Sequence, residues 1–429
     1  MKIINYKSAD FKKEIKRIIG RGDADISEIE SSVKKIIQDV RSKGDDAVIE
    51  YTKRFDGISL KASELSIKKK EIKDAYSKTT KKNIESLQYA AERIKEFHKK
   101  QKFESWSYEK DGIMLGQIVR PLSCVGMYVP GGKASYPSTV LMNALPAKSA
   151  AVERLIMTVP TPQGEIDPNV LVAADIAGID EIYRIGGAQA IAALAFGTET
   201  IPKVDKIVGP GNIYVAVAKK LVFGYVDIDM IAGPSEILII ADETAEPAFI
   251  AADLLSQAEH DERASAILVT PSKKTAEKIN NEIEKQLSEL KRKEIARKSI
   301  DDYGIIVVVE DLNEAVKIAN EIAPEHLELS VENPDDILGL IKNAGAVFLG
   351  HYTPEAVGDY IAGPSHTLPT GGTARFFSPL SVEDFLKRMS VISYTKDELI
   401  ASAGDIERIA EMEGLEAHAK SVRIRVKKI

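Results

Sequence analysis

Reactive sulfur is nearly missing from this chain, since Cys124 is the single cysteine among 429 residues. An internal disulfide is therefore excluded, as is a cysteine-based zinc knuckle, and a reducing cytoplasm is the expected compartment. Flanked by Leu122, Val125 and Met127, Cys124 reads as a small buried side chain rather than a nucleophile. Clustered basic charge is also scarce. The net charge is -7, and the basic runs stop at short ones such as Lys68-Lys69-Lys70, which argues against a general nucleic-acid binder. No apolar stretch is long enough to cross a bilayer; the richest, residues 204–240, is broken by Gly, Pro, Lys and Asp. The opening MKIINYKSADFKKE has no apolar core, so no secretory signal is expected. Neither HExxH nor G-x-G-x-x-G occurs, because GPGNIY carries Tyr214 where the third glycine belongs.

What is present describes an ordinary globular chain, 44% hydrophobic and 29% charged, with room for two or three domains. The first hundred residues read as helices. Asp25 and Glu28 form a D-x-x-E start, and Ile26, Ile29, Val33, Ile36, Ile37 and Val40 share one face before Gly44 stops the helix. A second helix places Ile84, Leu87, Ala91, Ile94 and Phe97 on one stripe and leaves His98 at a solvated, charged end. From about Gly126, strands alternate with helices: RLIMTVP then PNVLVAADIAG, EIYRIGG then AQAIAALAFG, KVDKIVGPG then NIYVAVAKKLVFG. The alternation continues through GPSEILIIADE, a helix opening at Pro247, SAILVTP, YGIIVVV, LNEAVKIANEIA and AVFLG. It predicts parallel sheets built from βαβ units, with mainly helical material again beyond Phe376.

Histidine is scarce too, and four of the six stand in short polar runs: SQAEHD (His260), APEHLEL (His326), GPSHTLPT (His366) and EGLEAHAK (His418). Imidazole is the commonest metal ligand and the side chain best suited to moving protons near neutrality. Gln257 and His260, three apart near a helix end, share a side and form half a nitrogen–oxygen metal site, although the same spacing describes a solvated helix face. Adjacent Glu325 and His326 point in different directions, as a pair dividing water activation from proton transfer would. Asp359 lies in EAVGDYIAGP, a stretch rich enough in Gly and Pro to read as a loop. The runs YVPGGKASYPS, IGGAQA, VGPGNIY and AGPSE mix turn glycines with helix starts, where backbone N–H groups favour phosphate.

In combination these runs resemble the histidinol dehydrogenase family. The matching stretches include RPLSCVGMYVPGGKASYPSTVLMNALPA, RIGGAQAIAALAFGTETIPKVDKIVGPGN, LLSQAEHD, APEHLEL, YTPEAVGDYIAGPSHTLPTGGTARFFSPLSVEDF and EGLEAHAKSV, from about Arg120 to Val422. The resemblance implies NAD-dependent oxidation of L-histidinol through bound L-histidinal to L-histidine, the last two steps of histidine biosynthesis, with two NADH per turnover. It implies one Zn²⁺ per subunit held by Gln257, His260, Asp359 and His418, with His326 and Glu325 as the acid/base pair. Ser235, His366 and Glu413 match substrate contacts, joined by the ligands and His326; Tyr128, Gln189 and Asn212 match NAD contacts. The fold implied is α/β, with two large domains of incomplete Rossmann type and small helical terminal domains. Residues 25–126 with 235–375 would form a discontinuous domain carrying most of the site, 127–234 the NAD domain, and 1–24 and 376–429 helical terminal regions. The family is a homodimer sharing its active sites, so Glu413 and His418 would complete the partner's site. Two rivals on the same residues are a zinc hydrolase using Glu325 as base and a non-catalytic binder of metal or imidazole; NADH formation separates both from a dehydrogenase.

Overall fold

The computed structural model describes residues 1–22, 27–131 and 135–427. Asp25 and Ile26, the expected helix start, lie outside the described residues; the helix that follows runs Ser27–Lys43 and buries Val33, Ile36 and Val40. Two compact units result: one comprises Met1–Gln101 with Ser123–Phe385, the other Lys102–Leu122 with Leu386–Ile429.

The first unit shows the α/β class expected from the alternation. Its larger sheet has six parallel strands in the order Lys2–Asn5, Gly304–Val308, Ser265–Thr270, Glu236–Ala241, His326–Ser330 and Ala346–Leu349. The central strands EILIIA and SAILVT are buried at every position. Such unbroken apolar runs suit a sheet covered on both faces. Ile237, Ile239, Ala266, Leu268 and Ile306 pack on one side, with helices Pro247–Ala258 and Lys273–Leu287. Leu238, Ile240, Ile267, Val269, Leu327 and Leu329 pack on the other, with helices Phe11–Ile19 and Leu312–Ile322.

A second parallel sheet runs Glu181–Tyr183, Arg154–Thr158, Cys124–Tyr128, Lys206–Val208 and Asp227–Ile228. Helices Ser27–Lys43, Asp45–Asp56, Gly187–Phe196 and Ile213–Val222 supply the core against one of its faces. The glycine runs IGGAQA and VGPGNIY do open helices here, whereas AGPSE leads into the strand Glu236–Ala241. Gly209 has φ +106, and a Cβ there would stand 2.2 Å from the Tyr128 carbonyl oxygen, so no larger residue fits. Cys124 is half-buried, and burial pushes its thiol up to about 11, as an inert side chain requires.

The second unit joins a three-stranded antiparallel sheet, ordered Leu386–Tyr394, Ile113–Pro121, Trp106–Lys110, to helices Lys396–Met412 and Glu416–Lys427.

Two expectations, on His98 and Asp359, need correction, and the terminal regions gain strands beside their helices. His98 is not a solvated end residue: four residues on from Ile94, it continues the stripe of Ala91 and Ile94 and is 1% exposed, whereas Phe97 is 39% exposed. Its Nδ1 donates to Gln101 Oε1 at 2.9 Å, and burial lowers its pKa. The terminal stretches are not purely helical, since Lys2–Asn5 and Leu386–Tyr394 are strands. Asp359 stands inside a short helix, Glu355–Tyr360, rather than on a loop; Pro354 before its start directs that helix.

Candidate active site

Glu236 and His326 open neighbouring parallel strands, with His326 in register with Ile237. The N-terminal edge of the six-stranded sheet therefore presents both side by side. They line a cavity of about 710 Å³ that also reaches Gly209–Asn212, beyond the C-terminal edge of the five-stranded sheet. That second edge is where open α/β sheets ordinarily receive ligands.

The His326 ring is fixed by one nitrogen. Nδ1 lies 3.0 Å from the Glu236 carbonyl oxygen, which can only accept, so Nδ1 carries the proton. Nε2 is then the basic nitrogen of the neutral ring. It is buried without a hydrogen-bond partner, 3.8 Å from both Glu355 Oε1 and Asp359 Oδ1. Burial alone would lower the pKa of His326, but the carboxylates of Glu355, Glu325 and Asp359 outweigh it and hold the ring well above its ordinary value.

Glu325 is equally enclosed. Its Oε2 accepts from the Glu236 N–H at 2.9 Å and lies 3.8 Å from His326 Nδ1. Burial pushes its carboxyl up to about 8. Glu355 is 3% exposed and pushed up to about 7 by burial. Asp359 goes the other way: burial opposes ionisation, but His326, His366 and His260 together hold its carboxyl below the usual value. His366 donates from Nδ1 to the Asp359 carbonyl at 3.0 Å, so its Nε2 accepts from the Thr139 hydroxyl at 3.3 Å.

Among the described residues, His260, Glu355 and Asp359 group ligand atoms within 4.8 Å of one another. Gln257, 1% exposed, reaches the same place. With its amide nitrogen turned to Glu355 it donates to both carboxylate oxygens, at 2.5 and 2.8 Å, and its oxygen accepts from the Glu236 N–H at 3.3 Å. A neutral imidazole and two carboxylates, with no thiolate, form a donor set for a borderline divalent cation such as Zn²⁺, which the Gln257 amide would join with its oxygen turned back toward Glu355.

Seven residues singled out in the sequence thus line one cavity: Ser235, Gln257, His260, Glu325, His326, Asp359 and His366; Asn212 lines it from the other sheet. Asn212 caps the helix Ile213–Val222, its Oδ1 accepting from the N–H groups of Tyr214 and Val215. Tyr128 and Gln189 stand apart from that lining, both buried and both close to Gly187. The Tyr128 hydroxyl accepts from the Gly187 N–H at 3.2 Å, while neither amide atom of Gln189 has a hydrogen-bond partner. Glu413 and His418 are exposed residues of the second unit, at the end of Lys396–Met412 and within Glu416–Lys427. Glu355 went unread in the sequence. Its signal is the four-residue spacing to Asp359 behind Pro354, which a loop reading hides and a helix reading reveals.

Known proteins resemble this chain along nearly all of its length. The family model for histidinol dehydrogenase matches residues 19–426. A histidinol dehydrogenase of Caldanaerobacter subterraneus subsp. tengcongensis is 58% identical over 421 residues, 97% of this chain and 98% of that one. One from Geobacter metallireducens is 56% identical over 429 residues, 100% of this chain and 98% of its own. The crystal structure of histidinol dehydrogenase from Elizabethkingia anophelis superposes with a TM-score of 0.92 at 38% identity, covering 100% of this chain and 98% of that one. A match of this length and identity leaves one assignment: the chain belongs to the histidinol dehydrogenase family, oxidoreductases that convert histidinol to histidine.

Proposed function

We propose that the chain oxidises L-histidinol in two NAD-dependent steps through bound L-histidinal, with His326 and Glu325 as its acid/base pair. The observation that carries this reading is His326 Nε2, a buried basic nitrogen with no partner, in one cavity with the Glu325 carboxyl. In the first step the neutral form of His326, favoured once a cation shares the Glu355 and Asp359 carboxylates that otherwise hold its proton, would take the hydroxyl proton at Nε2 as hydride leaves the carbinol carbon. NAD supplies the hydride acceptor in both steps. Glu325, whose carboxyl burial pushes up to about 8, then in its ionised form takes a proton from the water that hydrates the aldehyde. Enclosure within the cavity keeps the aldehyde from escaping.

Gln257, His260, Asp359 and His418 are the proposed holders of Zn²⁺, supported for His260 and Asp359 by the compact donor grouping with Glu355, beside which Gln257 lies. The cation supplies charge and a template for the substrate's imidazole and amino nitrogens. Ser235, His366 and Glu413 are proposed to contact histidinol. Tyr128, Gln189 and Asn212 are proposed to contact NAD; the two unpartnered amide atoms of Gln189 and the strand-end position of Asn212 support this. A cytoplasmic homodimer sharing residues between active sites completes the reading, on the strength of the family resemblance.

The test is NADH formation from L-histidinol by protein stripped with a chelator and then given zinc. Two NADH per histidinol, lost on stripping and restored by zinc, are expected. A folded, zinc-loaded protein that yields no NADH would overturn the reading.

A further inference from the structure

Arg21 and Glu236, to which the mechanism assigns nothing, form an ion pair at 2.9 Å on the wall of the catalytic cavity. Their side chains are only 2% and 5% exposed. Burying two charges is costly, so such a pair needs its remaining donors and acceptors filled. They are filled. Arg21 donates to the carbonyl oxygens of Ile18 at 2.7 Å, Arg263 at 2.9 Å and Pro234 at 3.1 Å. Glu236 Oε1 also accepts from the Gly371 N–H at 3.1 Å, and its Oε2 from the Glu325 N–H at 3.3 Å.

The backbone of Glu236 does something different. Its N–H holds the Glu325 carboxylate, and its C=O holds His326 Nδ1. One residue therefore sets the position of one proposed proton carrier and the tautomer of the other. The side chain of that residue is anchored by Arg21. Without the guanidinium, Glu236 would be an uncompensated charge beside Glu325, with every reason to turn away and carry its peptide groups with it.

We infer that the Arg21–Glu236 ion pair is a positioning unit for Glu325 and His326, acting on turnover through the two peptide groups of Glu236. The inference rests on the reading of Glu325 and His326 as the acid/base pair. A misplaced proton carrier lowers kcat, while binding of substrate through other groups is left alone.

Steady-state NADH formation by Arg21→Ala, Arg21→Lys and Glu236→Gln, measured beside the zinc-loaded wild type and with melting curves for each, tests it. For Arg21→Ala a fall in kcat of about tenfold or more is expected, with KM for histidinol within about twofold. Because Arg21 lines the cavity, added guanidinium ions can reach the vacated place; they are expected to restore kcat several-fold, whereas sodium and urea are not. Arg21→Lys should fall between, keeping the charge but not the fork of donors. If Arg21→Ala does not fold, Glu236→Gln decides, with kcat again expected to fall at unchanged KM. A wild-type kcat in the folded variants, or a loss confined to KM, overturns the inference. A wild type that makes no NADH overturns the underlying reading instead.

Discussion

His326 is tied by Nδ1 and open at Nε2, while Glu325 is tied by one carboxylate oxygen, so substitutions at the two residues are expected to part company. Glu325→Gln should slow the aldehyde-to-acid half far more than the alcohol half, and His326→Asn should impair both. Separate rates with histidinal and histidinol check this, and equal loss of both halves in Glu325→Gln would contradict it. Glu355 supports a second expectation. Its carboxyl titrates near 7 in the folded chain against an ordinary 4.5, so the folded state holds its proton longer than the unfolded state. Its stabilising contribution is complete below about 4.5 and disappears as pH rises through about 7, a change on the order of 3 kcal/mol. Chelator-treated protein should therefore melt lower at pH 8 than at pH 5, and Glu355→Gln should flatten that difference; an unchanged slope in the variant would refute the assignment. Gln257, His260, Glu325 and His326 were legible because imidazoles are few and their neighbours polar. Glu355, Arg21 and Glu236 were not, because an acidic or basic residue in a charged chain acquires meaning only from the burial and the partners that tertiary structure gives it.

The segment carrying Asn212 depends on an internal brace. Lys219, on the helix Ile213–Val222, donates to the Gly209 carbonyl at 3.0 Å and pairs with Asp229, which in turn accepts the Gly209 N–H at 2.8 Å. Both charges are buried. Lys219→Met leaves Asp229 alone in the interior, at a cost of about 3–5 kcal/mol. A lower melting temperature is expected, with NAD binding weakened more than histidinol binding; calorimetric titration with each ligand would show whether the two fall together instead. At this scale the sequence was most readable where burial is complete. EILIIA and SAILVT announce strands because every residue except Glu236 is apolar or small, and Pro234 and Pro271 mark their margins. Leu386–Tyr394 carries no strand signal because its side chains are mostly exposed, so no two-residue alternation is imposed on it. Lys2–Asn5 carries none because a four-residue edge strand between lysines has too little pattern.

For the assembled enzyme, the proposed sharing of sites between subunits makes a quantitative claim. If His418 serves the partner's cavity, His418→Asn and His326→Asn homodimers are each inactive. Subunits exchanged at random between them should regain about a quarter of wild-type activity, because half the dimers are mixed and each mixed dimer has one intact site. No recovery after demonstrated exchange would place His418 in its own subunit's site, and an active His418→Asn homodimer would place it in none. The edge strand Lys2–Asn5 has a consequence for how the chain is made. Its only sheet neighbour among the described residues, Gly304–Val308, follows about 300 residues later. On a ribosome adding about 5–20 residues per second, the first strand therefore waits some 15 to 60 seconds for its place. Arg21 waits for Glu236, 215 residues further on. Through that interval an unpaired strand edge is exposed to every other nascent chain, and the lysines at positions 2, 7, 12, 13 and 16 give it the like charge that discourages such encounters.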